Sequence, residues 1–236
     1  MATHASRMAP PGIFVTGTDT GVGKTLIACA LIRAIAASGR RVVGMKPVAA
    51  GARMDRGRLR NEDVERLNAA SHVDAPLALV NPYCFEPAIA PSIAARAAGV
   101  TIELDKIVAA YRQLAALADH VIVEGVGGFC VPLNPGEDGA DLARHLELPV
   151  LLVVGLRLGC LNHALLTAQA IRSNGLALAG WCANQIDPAM ACVDENISVL
   201  SERLNAPLVG RIGRLPVPDA GVVAGSLDLE ALALST

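Results

Sequence analysis

The sequence predicts an α/β fold with a doubly wound, mainly parallel sheet and helices on both of its faces. Short apolar runs alternate with amphipathic helical patterns from one end of the chain to the other. Residues 121–123 and 150–154 are apolar without interruption, which is typical of parallel strands that helices cover on both faces. A chain of 236 residues fits one core, so we expect a single domain over residues 1–236, with a flexible N-terminus at residues 1–11.

The N-terminal part of the chain begins with strand, helix and strand. Residues 13–17 form an apolar run that a glycine-bearing loop follows directly. Residues 24–37 have apolar side chains at the 3, 4 and 7 spacings of one helical face, and Ser38-Gly39 ends this helix. We predict a second strand at residues 42–45 and a short helix at residues 63–70.

The remainder of the chain continues the alternation after a proline-rich stretch at residues 81–91, which we predict to be irregular. The predicted helices cover residues 104–118, 162–173 and 192–204. The predicted strands cover residues 121–123, 150–154, 178–183 and 208–209. Strands that are separated by crossover helices pair in parallel, so this order gives one sheet.

Composition and charge exclude several classes of protein. The chain is 53% hydrophobic, which excludes a disordered polar segment, and only 3% aromatic, which argues against stacking on single-stranded nucleic acid. Its formal net charge of −2 provides no general attraction for nucleic acid or an anionic membrane. The six cysteines include no CxxC pair, and no apolar stretch is long enough to span a membrane. We therefore expect a cytoplasmic protein without a nucleic-acid or membrane partner.

The strongest local pattern is Gly-Thr-Asp-Thr-Gly-Val-Gly-Lys-Thr at residues 17–25, between a predicted strand and a predicted helix. The backbone N–H groups of such a loop bind phosphate oxygens, and its lysine, Lys24, contacts the outer phosphates of a nucleotide. The Thr25 hydroxyl completes the ligand shell of a Mg²⁺ ion. The strict pattern has glycine where this chain has Thr18, so we predict a variant phosphate loop in a P-loop NTPase-like fold.

Three more charged residues are candidates for the same edge of the sheet. Lys46 follows the second predicted strand, and Glu124 ends the apolar run at residues 121–123. Because ligands bind beyond the carboxyl ends of the strands in open α/β sheets, we expect both side chains to face the phosphate loop. Asp63 has two interpretations: an acidic residue that the helix dipole favours, or a second carboxylate for the metal.

Several segments together resemble the dethiobiotin synthetase family, the ATP-dependent ring-closing ligases of biotin synthesis. They occur in the same order as in the family and extend over nearly the whole chain. The matching segments are GTDTGVGKT (17–25), MKPVA (45–49), LRNED (59–63), VNPY (80–83), VEGVGG (123–128), LGCLNH (158–163) and AGWCAN (179–184).

The resemblance implies a reaction, a cofactor and partners. The substrates would be 7,8-diaminononanoate, CO₂ and ATP, with Mg²⁺ as the cofactor, and the products dethiobiotin, ADP and phosphate. One amine captures CO₂ as a carbamate, a carbamate oxygen attacks the γ-phosphoryl group, and the second amine closes the ring. The family also implies a homodimer, with the substrate site at the subunit interface.

The resemblance also assigns roles to residues at matching positions. Lys24 and Lys46 would be catalytic, and Thr25, Asp63 and Glu124 would hold Mg²⁺. The nucleotide would contact Thr20, Gly21, Val22, Gly23, Lys24, Thr25, Leu26, Asp63, Glu124, Gly125, Val126, Gly127, Asn184, Gln185, Gly213, Arg214 and Leu215. The substrate would contact Lys46, Ala50, Gly159, Cys160 and Asn162. Ala50 stands where the family often has Ser or Thr, and Gly213-Arg214 stands where it commonly has a proline–aromatic pair.

The alternative is a partitioning-type ATPase switch of the ParA/MinD kind, which shares the fold and a variant phosphate loop. Such proteins usually have a second lysine early in the loop, where this chain has Thr18 and Asp19. The two hypotheses differ in what ATP hydrolysis requires: the diamine for a ligase, DNA or lipid for a switch.

Overall fold

The computed structural model describes residues 12–232, so the segment expected to be flexible, residues 1–11, lies outside the described residues. The first elements are β1 (Gly12–Gly17), α1 (Lys24–Ala37), β2 (Val42–Met45), β3 (Val48–Ala50), β4 (Arg53–Asp55), β5 (Arg58–Arg60), α2 (Glu62–Ala70) and α3 (Leu77–Val80). Then follow β6 (Tyr83–Phe85), α4 (Pro91–Ala97), α5 (Leu104–Leu117), β7 (His120–Glu124), α6 (Gly139–Leu146) and β8 (Val150–Leu156). The last elements are α7 (Cys160–Ser173), β9 (Leu178–Gln185), α8 (Val193–Arg203), β10 (Leu208–Ile212), α9 (Ala220–Ala224) and a 3₁₀ turn at Glu230–Leu232.

The central sheet has six strands in the order β10-β9-β8-β1-β7-β2, and each neighbouring pair is parallel. This confirms the predicted doubly wound α/β fold. The chain moves from β1 to β2 and β7 on one side, then crosses to β8, β9 and β10 on the other. Such a change of direction opens a crevice at the carboxyl ends of the central strands, which is where ligands bind in this class of sheet.

The core lies on both faces of the sheet. Alternate residues of β1 face opposite layers, since side chains on a strand alternate. Ile13 and Val15 pack in the cluster that contains Ile27 of α1, whereas Phe14 packs in the cluster that contains Ile107 of α5. Aliphatic side chains fill most of both layers, as the low aromatic content requires.

The structure adds several short elements to those that the sequence predicts. β4 and β5 form an antiparallel hairpin. β6 lies in the proline-rich stretch and pairs with β3 in parallel, so that stretch is less irregular than expected. Helix α6 was not predicted, although Asp138 and Asp141 form a capping box at its start. Helix α7 begins at Cys160 instead of residue 162, because Gly159 at φ 93° provides its N-cap. Within residues 12–232, no helix is long and apolar enough to cross a membrane.

Candidate active site

An open cleft of about 900 Å³ lies at the carboxyl ends of the central strands. It brings together residues from the loops after β1, β2, β7, β9 and β10, together with the start of α2. Most of the nucleotide-contacting and catalytic residues predicted from sequence line it, and so does Ala50, which was predicted to contact the substrate. They are Thr20, Gly21, Gly23, Lys24, Thr25, Leu26, Lys46, Ala50, Asp63, Glu124, Val126, Gly127, Asn184, Gln185, Gly213, Arg214 and Leu215.

The phosphate loop has a backbone that depends on glycine. Gly21 and Gly23 have φ values of 75° and 94°, a conformation that L side chains rarely adopt. At Gly17 a Cβ atom would lie 2.6 Å from Val22 Cγ2, so the loop closes tightly over its first residue. The N–H of Thr18 donates to the carbonyl of Val153, which ties the start of the loop to β8. Thr18 does not have a positive φ, so its backbone does not require the glycine of the strict pattern.

Lys24 is buried, and its ammonium donates to the backbone carbonyl of Asp19 at 2.8 Å. Burial lowers the pKa of Lys24 to about 8, and the neighbouring Lys46 charge contributes to the decrease. Asp63 and Glu124 act in the opposite direction. A cation that the protein solvates this poorly gains from an anionic ligand, since the ligand replaces the missing solvation.

A cluster of polar groups occupies the floor of the cleft beside the phosphate loop. The Thr25 hydroxyl lies 2.8 Å from Asp63 Oδ1 and 2.8 Å from Glu124 Oε1, so it can donate its proton to either. The Lys46 ammonium lies 2.6 Å from Glu124 Oε1 and 3.0 Å from Asp63 Oδ2. Side chains from four separate parts of the chain, α1, the residue after β2, α2 and the end of β7, therefore meet at one point.

The charges of this cluster shift one another's pKa values. Burial by itself lowers the pKa of Lys46, but the carboxylates of Glu124 and Asp63 outweigh it and hold the pKa above its ordinary value. Burial raises the pKa of Glu124, and the Lys46 ammonium opposes this increase. The pKa of Asp63 is lowered, because Lys46 and the Thr25 hydroxyl outweigh the effect of its burial. Lys46 is therefore a persistent cation between two carboxylates.

The donor atoms of the cluster fit a divalent hard cation. Thr25, Asp63 and Glu124 offer oxygen ligands only, which is the set that Mg²⁺ prefers. Glu124 Oε2 is buried and has no hydrogen-bond partner among the described residues. Those residues also contain no group of three or more His, Cys, Asp or Glu side chains that could hold a metal, so an ion here would need the hydroxyl and further oxygens from a ligand.

Two asparagines that the sequence analysis did not single out position the cluster. Asn61 caps α2 by accepting from the N–H groups of Asp63 and Val64, and its amide donates to the carbonyl of Ala50. Asn81 donates to the carbonyl of Lys46 at 2.6 Å and to that of Tyr83 at 2.9 Å. Asparagine before an acidic helical turn is a typical N-cap pattern, so Asn61 had a recognisable sequence signal.

Asn184 contacts the phosphate loop itself. Its amide nitrogen donates to the carbonyl of Val22 at 2.8 Å, and a Cβ atom at Gly23 would lie only 2.2 Å from that nitrogen. The Asn184 side chain, predicted to contact the nucleotide, therefore also holds the loop, and Gly23 leaves the space for it.

Some predicted site residues lie outside the cleft. Val22 is buried beneath the phosphate loop, and Gly125 contributes its carbonyl, which accepts from Lys46 at 3.3 Å. Gly159, Cys160 and Asn162 lie at the start of α7, with the Cys160 side chain buried. Cleft-lining residues that were not predicted are Arg66, Ala88, Ile89, Ala90, Pro91, Val131, Ile186, Ile212 and Pro218.

Comparison with known sequences gives consistent matches over nearly the whole chain. A family model described as an AAA domain matches residues 11–220. A protein of Aromatoleum aromaticum named ATP-dependent dethiobiotin synthetase BioD is 54% identical over 220 residues, covering 93% of this chain and 98% of that one. A protein of the same name from Ralstonia nicotianae is 52% identical over 219 residues, covering 93% of this chain and 96% of that one.

Comparison with solved structures adds information about the fold. The cell division protein MinD of Aquifex aeolicus has a TM-score of 0.53 at 18% identity, covering 87% of this chain and 83% of that one. A ParA family ATPase of Chlorobium tepidum has a TM-score of 0.54 at 15% identity, covering 97% and 95%. At such low identity these similarities show a shared fold alone and do not favour a switch function.

Proposed function

This chain belongs to the ATP-dependent dethiobiotin synthetase family, and from that premise we propose that it closes the cyclic urea of dethiobiotin from 7,8-diaminononanoate, CO₂ and ATP. The observation that carries the proposal is the meeting of Lys46 with Asp63 and Glu124 next to the phosphate-loop residues Lys24 and Thr25. An enzyme that joins a carbamate to a phosphoryl group must hold two anions together against their repulsion. The ammonium groups of Lys24 and Lys46 lie in this cleft and can offset that repulsion.

The phosphate loop is proposed to bind the triphosphate of ATP. Its backbone N–H groups and the N-terminus of α1 provide donors for phosphate oxygens. Lys24 exchanges its contact with the Asp19 carbonyl for the outer phosphates, and its poor solvation in the free protein favours this exchange. The base is proposed to lie between Asn184 and residues 213–215, which line the far end of the cleft.

Thr25, Asp63 and Glu124 are proposed to hold Mg²⁺ together with phosphate oxygens. The bound ion would supply charge neutralisation at the γ-phosphoryl group. Glu124 suits this role because one of its carboxylate oxygens has no partner among the described residues. Asp63 is held by the first turn of α2, so the Asn61 cap fixes the distance between the two carboxylates.

Lys46 is proposed to orient the carbamate and to stabilise the phosphoryl group during transfer. It is a persistent cation beside Glu124, and the backbone contacts of Asn81 and Val80 fix its position. A close ion pair at an effective dielectric near 20 is worth about 4 kcal/mol before desolvation, so two lysines can offset the repulsion between two anions. At Ala50 the side chain offers no hydrogen bond, so the backbone and the neighbouring Lys46 must position the substrate there.

The substrate carboxylate is proposed to bind the loop at Gly159, Cys160 and Asn162 of a second subunit in a cytoplasmic homodimer. This loop lies outside the cleft of its own chain, and its tip residue, Leu158, is 96% exposed. The Cys160 thiol is buried toward α8, so the backbone of the loop is the part that can contact a ligand.

The test is a product assay with diaminononanoate, bicarbonate and MgATP. We expect dethiobiotin and ADP in equal amounts, with ADP release that depends on the diamine. Parallel reactions contain DNA or anionic lipid vesicles in place of the diamine and are expected to leave ATP intact. A folded protein that forms no dethiobiotin, or whose ATPase responds to DNA or lipid instead, would overturn the proposal.

A further inference from the structure

Asp19 makes three contacts that together fix the first half of the phosphate loop. Its backbone carbonyl accepts from the Lys24 ammonium at 2.8 Å, and its Oδ1 atom accepts from the N–H of Thr20 at 2.7 Å. Its Oδ2 atom forms an ion pair with Arg157. One acidic residue thus sets both the path of the loop and the direction in which Lys24 points.

Arg157 belongs to a different loop. It is the first residue after β8, the strand next to β1, and it precedes Leu158 and the start of α7. The charged form of His163, in the first turn of α7, is also close enough to contribute to the lowered pKa of Asp19. The nucleotide loop and the loop at residues 157–162 are therefore joined directly by opposite charges.

A contribution to folding stability does not explain the ion pair between Arg157 and Asp19. The side chains of Arg157 and Asp19 are 40% and 46% exposed, and ion pairs that are this exposed contribute little to stability. Without Arg157, however, the Asp19 carboxylate would lose its ion-pair partner, and its negative charge, which already acts on Lys24, would oppose the binding of an anion to this loop. A neutralising partner is what a phosphate-binding loop with an acidic residue requires.

We propose that Asp19 and Arg157 form a positioning pair with two effects, an inference that rests on the proposed function. Arg157 neutralises Asp19, so that the loop accepts the triphosphate. The same pair anchors the loop at residues 157–162, which presents the substrate carboxylate site to the other subunit. Nucleotide binding in one subunit and substrate binding at the site shared with the other therefore depend on a single contact.

The two effects predict different results in a double-mutant cycle of Arg157→Gln, Asp19→Asn and the double variant. Arg157→Gln leaves Asp19 uncompensated, so we expect its ATP dissociation constant, measured by calorimetry without diamine, to rise about tenfold. Adding Asp19→Asn removes the uncompensated charge, so the double variant should regain most of that affinity. The KM for the diamine should rise about fivefold in all three, since the anchor is absent in each.

Two further variants separate positioning from general structure. Arg157→Lys keeps the charge and should restore both constants. Arg41→Gln breaks an ion pair of comparable exposure with Asp119, which lies before β7 at the opposite edge of the sheet, and should change neither constant.

Unchanged ATP affinity in Arg157→Gln, or no recovery in the double variant, would overturn the neutralising effect. An unchanged KM for the diamine in every variant would overturn the anchoring effect. If the parent protein forms no dethiobiotin, the proposed function has failed, and the calorimetric measurements still decide whether Arg157 neutralises Asp19.

Discussion

Lys24 and Lys46 are buried cations of one cleft in different surroundings. Lys24 has a backbone carbonyl as its hydrogen-bond partner and a lowered pKa, whereas Lys46 lies between two carboxylates and has a raised pKa. The sequence places both lysines at the carboxyl edge of the sheet, because Lys46 directly follows a strand and Lys24 follows the loop after one. It could not predict the contact of Lys46 with Glu124, which joins residues 78 positions apart. Asp63 lies in the first turn of α2, where the helix dipole favours an acidic residue, and it contacts Thr25, whereas its role as a metal ligand stays a prediction.

Substitutions of the two lysines are expected to have different effects on ATP affinity and turnover. Lys24→Gln removes a contact that ground state and transition state share, so ATP affinity and turnover should both fall. Lys46→Gln removes a charge that acts mainly during phosphoryl transfer, so turnover should fall about a hundredfold with little change in ATP affinity. Calorimetry and steady-state kinetics measure both, with circular dichroism to confirm folding. The assigned role of Lys46 is wrong if Lys46→Gln binds ATP as poorly as Lys24→Gln yet turns over normally at saturation.

The lowered pKa of Lys24 gives stability a characteristic pH dependence. Between about pH 8 and the unfolded-state pKa of 10.5, the unfolded chain holds a proton on Lys24 that the folded protein has released. The unfolding free energy of the parent should therefore rise with pH across this window, by about 2–3 kcal/mol relative to Lys24→Met. Urea denaturation of both proteins from pH 7 to 10 measures the difference. A difference that stays constant with pH would contradict the assigned pKa.

Helix α2 carries Asp63, and the geometry of its first turn controls the polar cluster. Long periodic elements such as α1 were predictable from the sequence, since spacing alone defines them. The three-residue strands β3 and β6 were not, because each is held by pairing with a distant segment and not by its own propensity. Helix α6 could have been predicted from its capping box, but the spacing of apolar residues, on which the helix predictions were based, did not indicate a helix there.

Removing the cap of α2 should affect both stability and metal-dependent binding. Asn61→Ala is expected to cost about 1 kcal/mol of stability. It should also weaken magnesium-dependent ATP binding about fivefold, since Asp63 loses its fixed position. Asn174→Ala is the matched control, because it removes a helix-terminal hydrogen bond to Ala170 in α7. Equal ATP affinity in the two variants would show that the cap does not position Asp63.

The sheet as a whole determines where the chemistry can occur. Its parallel order brings the ends of β1, β2 and β7 to one edge, and this could be predicted because crossover helices separate the strands. The cleft walls formed by Ala88–Pro91 and Pro218 could not be predicted, since they come from irregular segments whose placement depends on tertiary packing. The loop before α7 contacts the phosphate loop through Arg157 but does not line the cleft of its own chain, which is compatible with the proposed dimer site.

The proposed dimer can be tested at the tip of that loop. Leu158→Glu puts a charge on a side chain that we expect to be buried against the partner, so the dimer dissociation constant should rise about a hundredfold. The KM for the diamine should rise with it, while ATP affinity stays the same. Val217→Glu changes a side chain that is 76% exposed near the base end of the cleft and should leave the dimer intact. Sedimentation equilibrium that shows the same oligomer for both variants would contradict this interface.

The central claim is that one cleft joins a carbamate oxygen to the γ-phosphoryl group of ATP. The most direct measurement is the transfer of ¹⁸O from labelled bicarbonate to inorganic phosphate in ordinary water. A carbamate oxygen forms the new bond to phosphorus as ADP leaves, and the second amine then displaces phosphate from the carbonyl carbon. The bridging oxygen therefore departs with the phosphate.

Mass spectrometry of the phosphate formed alongside dethiobiotin should show one labelled oxygen per molecule, reduced only by exchange of bicarbonate with water. Reactions without diamine control for hydrolysis, which places an unlabelled water oxygen on the phosphate. We expect labelled phosphate to appear only with the diamine and at the same rate as dethiobiotin. Unlabelled phosphate formed at the rate of dethiobiotin would contradict it.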